Sequence, residues 1–259
     1  MKLATWNING IKARIDALTA WLEAARPDVV CLQETKSVDE GFPADAFADL
    51  GYQVAVHGQK AFNGVAILAK HPLEDVSRGL PGDKSDVQSR YIEAVVAGPA
   101  GVVRVASIYL PNGNPIGTEK FAYKLAWMRR LEAHARDRLA LEEPLVLAGD
   151  FNVIPEPIDA SNPAAWTEDA LFQPESRTAF RRLLNIGLTD AIRATETGSH
   201  VYTFWDYQAG AWQKDNGIRI DHLLLSPQAA DRMTSAGIDR QVRGGDKPSD
   251  HVPVWVELR

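Results

Sequence analysis

Short apolar, β-branched runs recur along the chain and predict a protein built largely on strands. Eight such runs are candidate strands, and they cover residues 2–6, 29–33, 64–69, 92–97, 102–109, 145–148, 220–226 and 253–258. Between some of them lie segments whose apolar positions recur with a helical period. The pattern therefore indicates helices interspersed among many strands.

Two amphipathic helices are predicted between these strands. The first covers residues 15–25, with Ile15, Leu18 and Leu22 on one face and Pro27 just beyond its end. The second covers residues 118–139. Its apolar residues at helical spacing are Phe121, Leu125, Met128 and Leu131, and the basic residues expected on its other faces are Lys120, Lys124, Arg129 and Arg130.

Many strands with a few helices predict an α/β fold. We expect a layered sandwich in which two sheets pack face to face with helices outside, rather than a single parallel sheet. The sequence contains no low-complexity segment, internal repeat or long linker, so residues 1–259 are expected to form one domain.

The composition, with 45% hydrophobic and 24% charged residues, is typical of a soluble globular protein. No apolar run approaches the roughly 20 residues that cross a bilayer, and the N-terminus lacks the apolar region of a secretory signal. We therefore expect a cytoplasmic protein. The single cysteine, Cys31, excludes an internal disulfide framework, and its apolar neighbours predict burial. The net charge of −6 disfavours a basic nucleic-acid coat, although clustered metal-binding carboxylates would also make the total negative.

Polar side chains capable of chemistry stand at the ends of the predicted strands. Such positions are held by a rigid scaffold yet face solvent, which suits a functional site. These residues are Asn7, Glu34, Tyr109, Asp150, Asn152, Asp250 and His251. If the strand ends meet at one edge of the fold, the side chains form one site.

Each of these positions also has a purely structural explanation. Glu34 can be a solvated cap after its strand, and Asp250 with His251 can be an ordinary loop pair. Asp150 and Asn152 project to the same side if the segment is extended, but the same spacing also forms an Asx-turn.

Asp221 differs from these residues because it interrupts an apolar strand, at residues 219–225. A carboxylate in that position is expected to be partly buried and therefore needs a partner. A positively charged histidine is the natural candidate, so we expect an Asp–His pair.

Six segments together resemble the motifs of the exonuclease III family, which belongs to the larger endonuclease/exonuclease/phosphatase superfamily. They are WNINGIKAR at residues 6–14, LQETK at 32–36, YLPNG at 109–113, GDFN at 149–152, RIDHLL at 219–224 and SDHVPV at 249–254. The resemblance spans nearly the whole chain, including residues 162–166 and 177–190. It implies a four-layered α/β sandwich of two mixed sheets flanked by helices. It also implies a divalent metal and abasic-site endonuclease, 3′-to-5′ exonuclease or 3′-phosphatase activity on duplex DNA.

Hydrolysis of a phosphodiester needs an activated water, neutralisation of charge on the nonbridging oxygens and help for the leaving oxygen. Glu34 is expected to hold Mg²⁺, with Mn²⁺ as an alternative, because hard cations prefer oxygen ligands. The resemblance adds Asn7 and Asp250 to the metal site, and the number of ions, one or two, stays open. The candidate ligands are Asn7, Glu34, Asp150, Asn152, Asp250 and His251.

The remaining roles follow from the chemistry of each side chain. Asp150 is the candidate that orients or deprotonates the attacking water, and Asn152 positions it. His251, aligned by Asp221, either donates to the phosphate or is itself the base. Tyr109 can hydrogen-bond the phosphate or assist the leaving group. The sequence leaves open whether Asp150 or His251 takes the proton.

DNA binding requires local positive charge even where the total is negative. Basic residues in or near the motif-bearing loops are Lys12, Arg14, Lys36, Lys60, Arg90, Lys214, Arg219, Arg243 and Lys247. The resemblance favours Arg90 and Asn112 as DNA backbone contacts, and Lys36 is a further candidate. Asn114-Pro115 stands where some relatives carry a DNA-probing basic residue, so we do not expect this loop to penetrate the duplex.

An apolar pocket is expected beside the catalytic residues. In abasic-site relatives, the positions that match Phe204, Ile218 and Ile220 line a small pocket for a flipped sugar that lacks its base. A pocket too small for a base would select abasic sites by size and by the lower stacking energy lost on flipping. The alternative is that these residues belong to the core.

Two other functions share part of this pattern. A phosphomonoesterase or phospholipase of the same superfamily would keep the Glu, Asp-x-Asn and Asp-His elements, but Lys36 and residues 219–222 favour the nuclease. A noncatalytic DNA-binding module is disfavoured because no candidate catalytic position is visibly substituted. We therefore predict a monomeric, metal-dependent phosphodiesterase of DNA repair.

Overall fold

A computed structural model describes residues 1–98 and 101–259 of the chain. The strands in these residues are β1 (Lys2–Asn7), β2 (Val29–Gln33), β3 (Gln53–His57), β4 (Val65–Ala69), β5 (Leu73–Arg78), β6 (Tyr91–Gly98), β7 (Gly101–Tyr109), β8 (Leu145–Asp150), β9 (Thr189–Asp190), β10 (Asp221–Leu225), β11 (Met233–Ile238) and β12 (Val254–Leu258). The α-helices are α1 (Ile15–Ala25), α2 (Ala44–Ala48), α3 (Glu119–Leu139), α4 (Pro174–Asn185), α5 (Ala191–Thr195) and α6 (Pro227–Ala230). Short 3-10 helices cover Ile11–Ala13, Asp39–Gly41, Pro157–Asp159, Pro163–Trp166 and Arg240–Gly244.

Over the described residues the strands form two six-stranded sheets. The strand order is β11-β12-β1-β2-β4-β3 in the first sheet and β5-β6-β7-β8-β10-β9 in the second. Both sheets are mixed, because β1 runs parallel to β2 and β7 runs parallel to β8 while the other neighbours are antiparallel.

The two sheets pack face to face around a shared apolar core. Val29 and Ile67 of the first sheet and Val105 and Leu223 of the second belong to this core, and Cys31 is buried in it as predicted. Helix α1 packs on the outer face of the first sheet, and α3 and α4 pack on the outer face of the second. The predicted four-layered sandwich with two mixed sheets is therefore confirmed.

All the predicted strands are present, and the structure adds four that the pattern missed, namely β3, β5, β9 and β11. These four are the edge strands of the two sheets. An edge strand has one neighbour and is often short or polar, so it lacks the continuous apolar run of a central strand. The polar LEDVSR of β5 and the two residues of β9 are examples.

The two predicted helices are present as α1 and α3. Helix α1 ends at Ala25 because Arg26, directly before Pro27, adopts a left-handed conformation with φ of 49°. In α3, the prediction for Lys124 was wrong, since this lysine is buried in the helix's inner face, whereas Arg129 is exposed. Helix α4 was not predicted. None of the described helices is long and apolar enough to span a bilayer.

Candidate active site

The carboxyl ends of β1 and β2, and those of β7 and β8, meet at one edge of the sandwich because each pair is parallel. A cavity of about 330 Å³ lies at this edge. The described residues that line it are Glu34, Tyr109, Asn112, Asp150, Asn152, Trp166, Asp169, Leu171, Phe204, Asp206, Ile220, Asp250 and His251. Most of the side chains singled out at strand ends therefore share one site, and Asn7 and Asp221 stand directly behind it.

Asn7, the last residue of β1, joins two carboxylates. Its amide Nδ2 donates to Glu34 Oε1 at 2.9 Å and to Asp150 Oδ2 at 2.9 Å. Its carbonyl Oδ1 accepts from the backbone N–H of Asn9 at 3.0 Å. An amide serves here because it offers two N–H donors to the carboxylates while its oxygen closes the turn.

Glu34 follows β2 in a left-handed conformation, with φ of 50°, that turns its carboxylate into the cavity. Lys36 Nζ lies 3.0 Å from Glu34 Oε2. Burial would raise the pKa of the Glu34 carboxyl, but the hydrogen bond from Asn7 and the charge of Lys36 outweigh it and lower the pKa. Glu34 is thus an ionised carboxylate facing the cavity, and Lys36 contacts this carboxylate.

Asp150 and Asn152 line the cavity but are not in one extended segment. Asn152 has φ of 47°, and its backbone N–H donates to Asp150 Oδ1 at 2.9 Å, which forms the Asx-turn considered above. Both side chains still face the same space. Burial raises the pKa of Asp150 to about 7 and nearby Asp221 adds to the effect, while His251 acts in the opposite direction.

His251 and Asp221 form the expected pair. His251 Nδ1 lies 2.8 Å from Asp221 Oδ2, and His251 Nε2 lies 3.7 Å from Asp150 Oδ2. Burial alone would lower the pKa of His251, but Asp221 and then Asp150 outweigh it and raise the pKa to about 10. The imidazole is therefore held protonated, with its Nε2 side toward the cavity.

Two residues that the sequence analysis did not single out complete these contacts. Thr203 Oγ1 donates to Asp221 Oδ2 at 2.7 Å and accepts from the backbone N–H of Asp221 at 3.1 Å. Asn9 Nδ2 donates to Asp250 Oδ1 at 3.0 Å. Asn9 lies inside the segment 6–14 and Thr203 directly precedes Phe204, and these positions were the only available signal. Asp169, Leu171 and Asp206 come from loops and Trp166 from a short 3-10 helix, and strand and α-helix periodicity gives no signal for such segments.

Tyr109 and Asn112 form one side of the cavity, and Arg90 packs against Tyr109. The Arg90 guanidinium lies 4.9 Å from the centre of the Tyr109 ring and donates to the Tyr109 carbonyl at 3.3 Å. Burial first, then Glu34 and Asp150, raise the pKa of the Tyr109 hydroxyl, which therefore stays protonated. Asn112 is exposed at the rim and donates to Asn152 Oδ1 at 3.2 Å.

An apolar wall completes the cavity, and it includes Phe204 and Ile220. Ile218 was expected to line the same pocket, but it is not among the described residues that do so. It is buried and packs with Phe204 and Ile220 in one apolar cluster, where it also pairs with the Phe204 backbone. The prediction was incorrect for Ile218 because its side chain lies in the core beneath the wall.

Several basic residues near the motifs are not exposed to solvent. Arg219 is buried and donates to Asp159 and Asp190, each at 2.7 Å. Arg243 is buried and donates to the Trp205 carbonyl at 3.1 Å. These two arginines stabilise the scaffold and do not offer their charge to a ligand at the surface.

The cavity is rich in negative charge. Among the described residues that line it, five carry carboxylates, namely Glu34, Asp150, Asp169, Asp206 and Asp250. Asp150, Asp221 and His251 also bring one potential ligand atom each to within 4.8 Å of one another. A phosphate group would be repelled from such a cavity unless a cation entered with it. Carboxylate oxygens are the ligands that hard divalent cations prefer.

Glu34 and Asp150 are the residues of this set that best fit a cation, because both carboxylates lie within hydrogen-bond distance of the Asn7 amide. His251 is held by Asp221 through its Nδ1 at 2.8 Å, so only its Nε2 could face a cation. The amide nitrogen of Asn7 arranges the two carboxylates, and its oxygen accepts from the Asn9 backbone N–H at 3.0 Å with one lone pair left over.

Comparisons with known proteins agree with this arrangement. The model of the endonuclease/exonuclease/phosphatase family matches residues 4–251. The chain is 36% identical to exodeoxyribonuclease III of Haemophilus influenzae, with 100% of both chains covered. Among solved structures it resembles an AP endonuclease from Archaeoglobus fulgidus, with a TM-score of 0.94, 36% identity and coverage of 100% of this chain and 99% of that chain. It also resembles the 3′ phosphatase NExo from Neisseria bound to a product DNA hairpin, with a TM-score of 0.96, 37% identity and the same coverage.

Proposed function

The chain belongs to the endonuclease/exonuclease/phosphatase family, and on that premise we propose that it is a divalent-metal-dependent phosphodiesterase that cleaves duplex DNA at abasic sites or 3′ ends. Its activities would be those of an abasic-site endonuclease, a 3′-to-5′ exonuclease and a 3′-phosphatase, alone or combined, in the repair of damaged DNA. Relatives named for each of these activities match the chain over its full length, which supports the proposal.

The proposal rests on the kinds of side chain that line one cavity. Carboxylates that suit a cation, a protonated His251 and an apolar wall that includes Phe204 line the same space of about 330 Å³. Carboxylates and imidazolium serve the reaction at phosphorus, and the wall suits the apolar face of a sugar. A phosphomonoesterase would need the first part but not the wall.

Glu34 and Asp150 would hold Mg²⁺ or Mn²⁺, and Asp250 faces the same space. When bound, the cation would neutralise the nonbridging oxygens and lower the pKa of a coordinated water. Asn7 keeps the two carboxylates together through hydrogen bonds of 2.9 Å to each of them. The site would therefore be arranged before the substrate arrives.

The other side chains supply proton transfer and hydrogen bonds. His251, held protonated by Asp221, would donate from Nε2 to a nonbridging phosphate oxygen. Asp150 would orient the attacking water and accept its proton, because its carboxylate faces the cavity beside Asn152. Asn152 would position that water. The protonated hydroxyl of Tyr109 would donate to the leaving oxygen.

DNA would lie across the rim of the cavity. Lys36, Arg90 and Asn112 stand at or beside this rim and would contact the phosphate backbone. Phe204 and Ile220 would face the sugar at the cleavage site.

The proposal is tested with matched duplexes that are intact, contain one abasic site, have a recessed 3′ end or end in a 3′ phosphate. Each duplex is incubated with Mg²⁺, with Mn²⁺ and with a chelator. We expect metal-dependent cleavage of at least one damaged or terminal substrate. If the protein leaves every duplex intact but hydrolyses a soluble phosphomonoester or a phospholipid, the DNA proposal is wrong and the alternative superfamily activity is correct.

A further inference from the structure

Lys124 is a lysine on the inner face of α3 to which the proposed reaction gives no role. Its side chain is fully buried, with a relative exposure of 0%. Its Nζ donates to the backbone carbonyl oxygens of Pro111 at 3.1 Å, Asn112 at 3.1 Å and Asn152 at 2.6 Å. Three acceptors match the three N–H donors of an ammonium group, whereas a neutral amine has only two. The contacts therefore identify the charged form.

The three carbonyl groups belong to two different loops. Pro111 and Asn112 follow β7, and Asn152 follows β8. Both loops line the cavity, and neither is part of α3. Lys124 thus connects two loops of the site from a third element, and the bonds are of the strong, charge-assisted kind.

Asn152 is the residue most dependent on this contact. Its left-handed backbone, with φ of 47°, is sparsely populated by residues other than glycine. Its carbonyl accepts from Lys124, its Nδ2 donates to the Leu110 carbonyl at 2.9 Å, and its backbone N–H donates to Asp150. Removal of the ammonium group would leave its buried carbonyl without that donor and would let the turn relax.

Gly113 in the loop after β7 is adapted to the lysine. A Cβ atom at Gly113 would lie 2.5 Å from Lys124 Cδ, and the residue has φ of 89°. Only glycine combines this backbone conformation with room for the aliphatic part of the lysine. The loop therefore fits around the Lys124 side chain.

The ammonium charge is not neutralised by direct contact. None of the described carboxylates forms an ion pair with Lys124, and its hydrogen-bond acceptors among the described residues are the three uncharged carbonyls. Burial lowers the pKa of Lys124 to about 7, while Asp150 and Asp169 favour the charged form.

We infer that Lys124 is a positioning residue whose ammonium group holds the loops after β7 and β8 together, so that Asn112 is correctly placed for the phosphate and Asn152 for the attacking water. This inference rests on the proposed phosphodiesterase function. Lys124 acts through these residues and does not itself touch the substrate. Misplacement of reacting groups by about 1 Å lowers rates by roughly 10²-fold, which sets the size of the expected effect.

The test compares Lys124→Met, which removes the charge at similar volume, with Lys124→Gln, whose amide can donate to at most two carbonyls. Arg136→Met is the matched control, because Arg136 is exposed on the same helix and forms a surface ion pair with Glu132, one helical turn away. For each variant we would measure the thermal midpoint, the DNA dissociation constant in chelator and the single-turnover cleavage rate at saturating enzyme with Mg²⁺.

For Lys124→Met we expect a rate roughly 10²-fold below the parent at temperatures where the variant is folded, with DNA affinity within about threefold. Lys124→Gln should lose less, and Arg136→Met should match the parent. The inference is overturned if either Lys124 variant that folds cleaves within threefold of Arg136→Met. It is also overturned if the loss follows the unfolded fraction, or if affinity falls as much as the rate. Failure of the parent to cleave any duplex would instead contradict the proposed function.

Discussion

Two buried clusters of charged residues meet at the start of β10, and they differ in the balance of their charges. The Arg219 cluster consists of Asp159, Asp190, Arg193, Arg219 and His222. The other cluster, here called the catalytic cluster for its proposed role, consists of Glu34, Asp150, Asp221 and His251. Both are enclosed by the same scaffold, so the surrounding fold does not explain the difference between them.

In the Arg219 cluster two guanidinium groups face two carboxylates. Arg219 donates to Asp159 and Asp190 at 2.7 Å, and Arg193 donates to Asp159 at 2.5 Å. Burial would raise the pKa of both carboxyls, but Arg219 outweighs it and lowers the pKa of each. The cluster needs no ligand, because its charges are matched and hydrogen-bonded within the protein.

In the catalytic cluster three carboxylates share one imidazole, with Lys36 beside Glu34 alone. Asp150 lacks a guanidinium partner, and burial raises its pKa to about 7. The carboxylate of Asp150, which no guanidinium among the described residues neutralises, faces the cavity. Burial of charged residues alone therefore does not indicate a functional site. A functional site is indicated by a buried charge that no neighbouring group neutralises and that a ligand can reach.

The strongest test of this contrast is Asp150→Asn. We expect cleavage to fall by roughly 10³-fold or more, because the side chain can no longer accept a proton or hold the cation at full charge. Thermal stability should equal or exceed that of the parent, since burial disfavours the charged form of Asp150. Single-turnover kinetics and a thermal melt measure both quantities. Parental activity, or a marked loss of stability, would place Asp150 with the scaffold residues.

Arg219→Met should show the opposite pattern. It leaves Asp190 buried without its guanidinium, which is expected to lower the free energy of unfolding by about 3–5 kcal/mol. Activity per folded molecule should fall much less than in Asp150→Asn. Arg181→Met is the control, because Arg181 and its partner Glu156 are both about half exposed and should contribute at most about 0.5 kcal/mol. Equal midpoints for the two variants in denaturant unfolding would refute the structural role of Arg219.

Within the catalytic cluster, Asp221 and His251 should act as one unit. Asp221→Asn and His251→Ala are each expected to lower the cleavage rate by roughly 10²-fold, and the double variant should be little worse than either. The reason is that Asp221 serves mainly to hold His251 protonated and in orientation through the 2.8 Å contact. The measurement is a double-mutant cycle on the cleavage rates of the parent, the two single variants and the double variant. If the loss in the double variant equals the product of the two single losses, the two residues act independently.

The catalytic cluster could be predicted from the sequence because its members stand at strand ends. The short apolar strands that carry Glu34 and Asp150 were recognisable, and parallel neighbours bring their ends to one edge. The Arg219 cluster gave no such signal. Arg219 is separated from Asp159 by 60 residues and from Asp190 by 29, so nothing in its local sequence distinguished a buried arginine from a solvated one.

Dependence on residues distant in sequence also explains why the predictions for Lys124 and Ile218 were wrong. A helical pattern places lysine on a polar face, but the burial of Lys124 depends on carbonyl groups supplied by two distant loops. Ile218 was expected in the pocket, but neighbouring Ile220 lines it while Ile218 lies beneath. Local patterns predicted the central strands and the identity of the site, whereas these side-chain positions depend on tertiary contacts.

The contribution of the Arg219 cluster to folding stability should also depend on pH in a defined direction. Burial first and then Arg219 lower the pKa of His222 to about 4, against the opposing effect of Asp190. The unfolded chain, with a histidine pKa near 6.5, therefore binds a proton that the folded chain excludes. Stability should fall as the pH drops below about 6.5, by about 2 kcal/mol between pH 7 and pH 5. Denaturant unfolding of the parent and of His222→Gln measures this contribution, and identical pH profiles would contradict it.

The apolar wall that includes Phe204 is the uncharged side of the same cavity. The Phe204 ring lies 5.0 Å from the His251 ring, centre to centre, in an edge-on arrangement. Phe204 is half-buried, whereas Ile218 beneath it is fully buried. Phe204 can therefore contact a ligand, and Ile218 supports the wall from behind.

The smallest expected effect is a change in substrate preference on Phe204→Ala. An enlarged pocket should hold an extruded, base-free sugar less well, so abasic-site cleavage should fall roughly tenfold more than removal of a 3′ phosphate. Ile218→Val is the control, since it loosens the packing behind the wall without changing the surface that faces the ligand. It should lower the thermal midpoint and leave the ratio of the two activities unchanged. If Phe204→Ala instead lowers both activities in parallel with the midpoint, Phe204 is a core residue and the wall does not select the substrate.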